Sequence, residues 1–113
     1  KKFDIIITGG FLYVTPDHFL KKTIKKIFQL MKNNSYLIVW DYDTPFSYNN
    51  NYKYDKNLKS YKRDLLKEIN KIDKKSYLVS KQLQLKDGSK INSYNSKTNI
   101  DNIFAVIILK KIL

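Results

Sequence analysis

Two short stretches gather the side chains that could do chemistry: Thr8-Gly9-Gly10-Phe11-Leu12-Tyr13 and Asp41-Tyr42-Asp43. The glycine pair lets a ligand come close to the backbone, or it simply makes a tight turn. Asp41 and Asp43 have the chemistry to orient a hydroxyl or amine or to act as a general base. Their structural reading is a cap at a strand end and the start of a turn before Thr44-Pro45. Tyr13 is either core packing or a polar tip that reaches a ligand. The single histidine, His18, follows Asp17 in a lysine-rich segment and reads as an exposed bystander. With one histidine and no cysteine, this chain by itself holds no disulfide, no thiolate nucleophile and no zinc ligand set, so no metal site is expected. No G-x-G follows a strand and no G-x-x-x-x-G-K occurs, so a phosphate-cradling loop is missing as well.

The elements around these stretches decide where they lie. Residues 3–8 form a continuous β-branched apolar run that ends at Gly9-Gly10, and Tyr36-Leu37-Ile38-Val39-Trp40 is a second such run. Continuous rather than alternating apolarity predicts strands covered on both faces. Between them, Thr15 and Pro16 predict a helix start, with Thr15 as the cap. Leu20, Ile24, Ile27, Phe28 and Met31 then make one apolar stripe, with Lys21, Lys22, Lys25 and Lys26 opposite. Asn33-Asn34 closes the helix through a left-handed residue. Strand, helix and strand in this order predict a βαβ unit with parallel strands. Both chemical stretches then lie at strand carboxyl ends, where open α/β sheets bind ligands.

Residues 44–57 read as an ordered aromatic loop, residues 58–72 as a second helix, and residues 77–86 as an alternating edge strand. In that strand Val79, Leu83 and Leu85 face inward and Lys81 spoils the apolar side. Asp87-Gly88 is a turn, residues 89–101 a polar loop and residues 103–109 an interior strand.

The chain has 113 residues and a net charge of +12, from 22 basic and 10 acidic side chains. All the basic residues except Arg63 are lysine, and Lys, Asn, Ile and Tyr together make about half the chain. These residues share A- and T-rich codons, so base composition accounts for much of the lysine. A nucleic-acid surface would cluster arginine instead. The longest apolar run, residues 104–109, is far short of the roughly 20 residues a membrane helix needs. The expectation is a soluble, cytoplasmic chain with no membrane contact.

At this point the residues resemble a known family. Phe3-Asp4-Ile5-Ile6-Ile7-Thr8-Gly9-Gly10-Phe11-Leu12-Tyr13 looks like the fourth-strand segment of class I S-adenosylmethionine-dependent methyltransferases. Phe28-Gln29-Leu30-Met31-Lys32-Asn33-Asn34-Ser35 before Tyr36-Leu37-Ile38-Val39 is similar to that family's approach to its fifth strand, with Lys-Asn-Asn-Ser in place of Lys-Pro-Gly-Gly. The stretch from Asp41-Tyr42-Asp43-Thr44-Pro45-Phe46-Ser47-Tyr48 through Ser60-Tyr61-Lys62-Arg63-Asp64 resembles a bacterial subgroup linked to surface-polysaccharide gene clusters.

The resemblance implies that residues 1–113 are a partial methyltransferase domain, the C-terminal half of a Rossmann-like α/β fold. Its four-stranded sheet would run 1-2-4-3 in chain order, with the last strand antiparallel. The cofactor would be S-adenosylmethionine. Thr8, Gly9 and Gly10 would line its methionine end, with Phe11, also cofactor-binding, and Tyr13 at the junction of cofactor and substrate. Asp41 is the first candidate catalytic base and Tyr13 the second. Asp43, Phe46, Tyr48 and Tyr61, with the aromatic loop at 46–54, would contact a small-molecule acceptor, a sugar among the options. The missing N-terminal half, which carries the G-x-G loop, becomes a partner, and this chain alone is expected to be inactive. Without that half, residues 3–8 would form a bare apolar edge. The alternatives are a nucleic-acid methyltransferase and a non-catalytic lysine-rich docking domain.

Overall fold

A computed structural model describes residues 1–94 and 99–112. The first apolar run forms β1 (Phe3–Gly9). A helix, α1 (Asp17–Leu30), leads directly into the long β2 (Met31–Tyr42). β1 and β2 pair in parallel, Ile5 opposite Tyr36 and Gly9 opposite Trp40, as the apolar runs predicted. Asn34 is left-handed at φ 61°, where the register between the two strands shifts. In α1 Leu20, Ile24, Ile27 and Phe28 are buried and the four lysines are exposed. The cap differs from expectation. Pro16 holds that position, because the Thr15 hydroxyl already donates to Phe11 O at 2.9 Å.

The middle of the chain departs further. β3 (Tyr48–Asn51) and β4 (Lys59–Lys62) form an antiparallel ribbon where a loop and the first turn of a helix were expected. The second helix, α2, spans only Leu65–Ile72. Asp64 sets its start by accepting a hydrogen bond from Lys67 N. Leu58, which fits the apolar spacing of that helix, is instead half-exposed.

Three more strands complete the main sheet: β5 (Ser76–Gln84), β6 (Lys90–Ile91) and β7 (Phe104–Lys111). The order is β1-β2-β7-β5-β6, with β7 antiparallel between β2 and β5. The expected four-strand order is corrected to five, although the two-residue β6 pairs only with Leu83 and Gln84 and the rest of β5 remains an edge. The Asp87-Gly88 turn, with Gly88 at φ 89° and Leu85 N bonded to Ser89 O at 2.8 Å, returns the chain at once. Ile91 then packs against the core from a segment expected to be all loop. Val79 is exposed rather than inward, because the register shifts between Leu78 and Ser80.

Both helices cover the same face of the sheet. Their apolar stripes meet Leu37, Val39, Ala105, Ile107 and Leu109 in one core. Neither α1 nor α2 covers the opposite face, a correction to the expectation of strands covered on both sides. Ile5 and Ile7 of the edge strand β1 are 56% and 69% exposed, and Trp40 on β2 is 46% exposed. Strand parity places Ile5, Ile7, Trp40 and Tyr42 on that open face and turns Asp41 inward. Among the described residues, no helix is long and apolar enough to cross a membrane.

Candidate active site at the strand ends

The carboxyl ends of β1 and β2 are joined by backbone and one carboxylate. Gly10 N donates to Trp40 O at 3.0 Å, and Gly10 takes φ 72°, a conformation that favours glycine. Gly9 is less constrained, since an added methyl would lie 3.7 Å from the Trp40 ring. The chain then makes a 3₁₀ turn over Leu12–Val14, with Leu12 wholly buried. Asp41 Oδ2 accepts Leu12 N at 2.9 Å and its Oδ1 accepts Tyr42 N at 2.8 Å. On the other side of the turn, Arg63 Nη1 donates to Leu12 O at 2.8 Å and Nη2 donates to Thr15 O. Arg63 Nη2 also lies 2.8 Å from Asp17 Oδ1. Tyr13 is therefore clamped between two buried charged groups.

Tyr13 opens onto a cavity of about 300 Å³ lined by Tyr42, Tyr52, Tyr54, Lys62 and Asp101, among others. The Tyr13 ring meets Tyr42 edge-on at 4.9 Å and lies 6.1 Å from Tyr52. The buried Lys62 ammonium sits 3.3 Å from the centroid of the Tyr42 ring and donates to Asp101 O at 3.1 Å. Burial lowers the Lys62 pKa, while Asp101 and Asp41 pull it back up. Burial, then the hydrogen bond and charge of Tyr52, pushes the Tyr13 phenol up to about 12. At neutral pH it stays protonated, with a proton available to donate. A larger concavity of about 720 Å³ lies beside α2, lined by Asp64, Leu66, Lys67, Lys71 and Lys74 of that segment and by Lys81 of β5.

Burial raises the Asp41 pKa from 3.8 to about 6, against the pull of its backbone N–H donors and Lys62. Between these values the folded state holds a proton that the unfolded chain has released, so stability falls as pH rises through roughly 4 to 6. The stability difference between wild type and Asp41→Asn, from urea melts at pH 4 and pH 7, is expected to change by on the order of 2 kcal/mol in that direction. A constant difference would show that the carboxyl does not titrate in this window.

The sequence-predicted residues separate into groups. Asp41 and Tyr13 do come together, and Asp41 is 1% exposed, with both oxygens engaged in holding the turn. Thr8 is buried, and its Oγ1 has no hydrogen-bond partner among the described residues. Thr8, Gly9, Gly10 and the partly exposed Phe11 run directly into the Tyr13 turn. Of the expected aromatic loop, Tyr52 and Tyr54 line the cavity.

None of the four other residues expected on the acceptor side lines this cavity. Asp43 is fully buried, pairing with Lys81 Nζ at 2.9 Å and accepting from Leu65 N at 3.0 Å and from the Tyr94 hydroxyl. Phe46 packs on Tyr48, whose hydroxyl donates to Asp101. Tyr61 lies 5.0 Å from the Arg63 guanidinium. The residues that sequence reasoning missed are Tyr42 and Lys62, each one position from an expected one. Strand parity was the available signal, because neighbours along a strand face opposite ways. His18 is exposed and stacks on Phe19. Among the described residues, no cluster of three or more His, Asp or Glu side chains converges as a metal site would require.

No family model and no curated protein matches the sequence. Among solved structures, the chain is similar to the crystal structure of a SAM-dependent methyltransferase from Methanosarcina mazei, at 16% identity and a TM-score of 0.67. The match covers 99% of this chain and 60% of that one. The chain thus spans 60% of the length of its structural neighbour, and at this identity the likeness is one of fold. This is an α/β fold similar to part of a methyltransferase.

Proposed function

We propose that this chain is the acceptor-side part of a methyltransferase that moves a methyl group from S-adenosylmethionine to a small-molecule acceptor of the sugar class. The observation that carries the reading is the tyrosine-lined cavity at the carboxyl ends of two parallel strands, opening beside the Thr8–Phe11 turn. When bound, the cofactor supplies an electrophilic methyl group on a sulfonium. The residues present fit one end of it. Among the described residues, Thr8 offers a buried hydroxyl without a partner, and nothing lies within 4 Å of where a Gly10 side chain would start. Thr8, Gly9, Gly10 and Phe11 would hold that end. Tyr13, a protonated phenol, would orient the acceptor by a hydrogen bond, and the tyrosine walls would exclude water. Asp41 acts through the turn it fixes, as a positioning residue.

The rest of the neighbour's length has no counterpart here, and no G-x-G loop is present. The sheet face that neither helix covers and the apolar β1 edge support a further part of the same domain covering them, with this chain inactive alone. Equilibrium dialysis of S-adenosylmethionine against the full-length gene product tests the reading. Binding is expected, and its absence would overturn the proposal. Tyr13→Phe should keep cofactor binding and lower kcat about tenfold, the value of one oriented hydrogen bond. An unchanged kcat would remove Tyr13 from the site.

A further inference from the structure

The charge of the tyrosine-lined cavity is one-sided. Among the described residues, Lys53, Lys62 and Lys86 line it against a single acidic side chain, Asp101. That carboxylate is already engaged, accepting from the Tyr48 hydroxyl and from Asn50 Nδ2 at 3.1 Å. Lys62 is 5% exposed, yet its ammonium makes no ion pair among the described residues, and its hydrogen bond there goes to the carbonyl of Asp101. A buried ammonium with three donors and no anion of its own is costly, and such a group facing a cavity is a mark of a ligand site. The position over Tyr42, where a cationic ligand would sit, is held by the lysine itself at 3.3 Å. The walls suit a flat or saturated ring: Tyr13, Tyr42 and Tyr52 present faces and edges, and Asn50, Asn51 and Ser60 present groups for hydroxyls. A volume of about 300 Å³ is of monosaccharide scale.

We propose that the acceptor is a ring compound carrying an anionic group, a carboxylate or a phosphate, seated on Lys62, with Lys86 and Lys53 at the rim. The inference deepens the methyltransferase reading and rests on it for the word acceptor, while the anion site itself stands on the cavity. It also explains why Lys62 is held over Tyr42 rather than extended into solvent. The ring face steadies the charge until the anion arrives.

Trp40 gives a direct readout, because it stacks on Phe104 at 5.5 Å, which in turn stacks on Tyr42 at 4.2 Å. Its fluorescence is followed while the chain is titrated with glucose, glucose 6-phosphate, glucuronate, glucosamine and inorganic phosphate. The anionic sugars are expected to bind at least tenfold tighter than glucose, and glucosamine no tighter than glucose. Inorganic phosphate, lacking the ring, should bind more weakly than glucose 6-phosphate. Lys62→Met should abolish the preference for the anionic sugars. Lys86→Ala, at an exposed rim position that leaves the fold alone, should reduce it about threefold and covers the case in which Lys62→Met does not fold. Equal affinity for glucose and glucose 6-phosphate, or a preference that survives both substitutions, would overturn the inference. Phosphate binding as tightly as the sugar phosphate would overturn the ring site. Anionic preference without S-adenosylmethionine binding by the full-length product would remove the methyltransferase reading and leave the anion site. The reverse pattern would remove only the anion site.

Discussion

Asp43→Ala is expected to destabilise the chain by about 3–5 kcal/mol, the usual cost of removing one partner from a buried ion pair. The aspartate has no exposure, and three groups depend on it: the Lys81 ammonium at 2.9 Å, the Tyr94 hydroxyl, and Leu65 N at the first turn of α2. Alanine leaves all three without an acceptor and loosens the tie between α2 and the sheet. Burial first, and then the hydrogen bond to Asp43, pushes the Tyr94 phenol pKa upward, so Tyr94 remains a donor at any physiological pH. Total stability for a domain of this size is about 5–15 kcal/mol, so the variant should be close to unfolded in water at 37 °C. Urea denaturation followed by circular dichroism measures the loss. A loss below about 1 kcal/mol would show that the network contributes little. Asp43→Asn should fall between, since an amide oxygen still accepts Leu65 N while the charge that holds Lys81 is gone.

Arg63→Met is the second large effect, expected at roughly 3 kcal/mol, or a fall in Tm of about 10–15 °C. The contributions are unequal. Asp17 is 83% exposed, so its ion pair with Arg63 adds little. The carbonyls of Leu12 and Thr15 dominate, because without the guanidinium they are left unpaired beneath β4. Arg63→Lys should recover less than half, as one ammonium cannot span both carbonyls in the guanidinium's fixed geometry. The local consequence separates this role from general packing. The turn that carries Tyr13 should become the first site of proteolytic cleavage in Arg63→Met and remain resistant in wild type. Equal protection in both would mean that the turn does not depend on Arg63.

These two residues also show what sequence reading can reach. Arg63 stood out as the only arginine in a lysine-rich chain, yet nothing local links it to Leu12 and Thr15, which it meets only when β4 packs against the Tyr13 turn. Asp43 was legible as a polar residue at a strand end. Whether it faces a ligand or the interior depends on strand parity and on Lys81 and Tyr94, far along the chain. The lysine that spoils the apolar side of β5 had an explanation elsewhere in the fold. The ribbon of β3 and β4 was hidden because its pairing joins residues across a polar, aromatic stretch with no alternating pattern.

What the sequence determined by itself was local: two continuous apolar runs with an amphipathic helix between them, the glycine turn after the first run, and the gathering of the candidate residues at the strand ends. Periodicity and turn chemistry act over a few residues, and those residues carry the signal in their own order. The tertiary structure alone decided the fifth strand, the placing of both helices on one face of the sheet, the inward turn of Asp41 and Asp43, and the lysine over Tyr42. Each of these depends on register and on partners distant in sequence, where a shift of one residue exchanges the buried face for the open one.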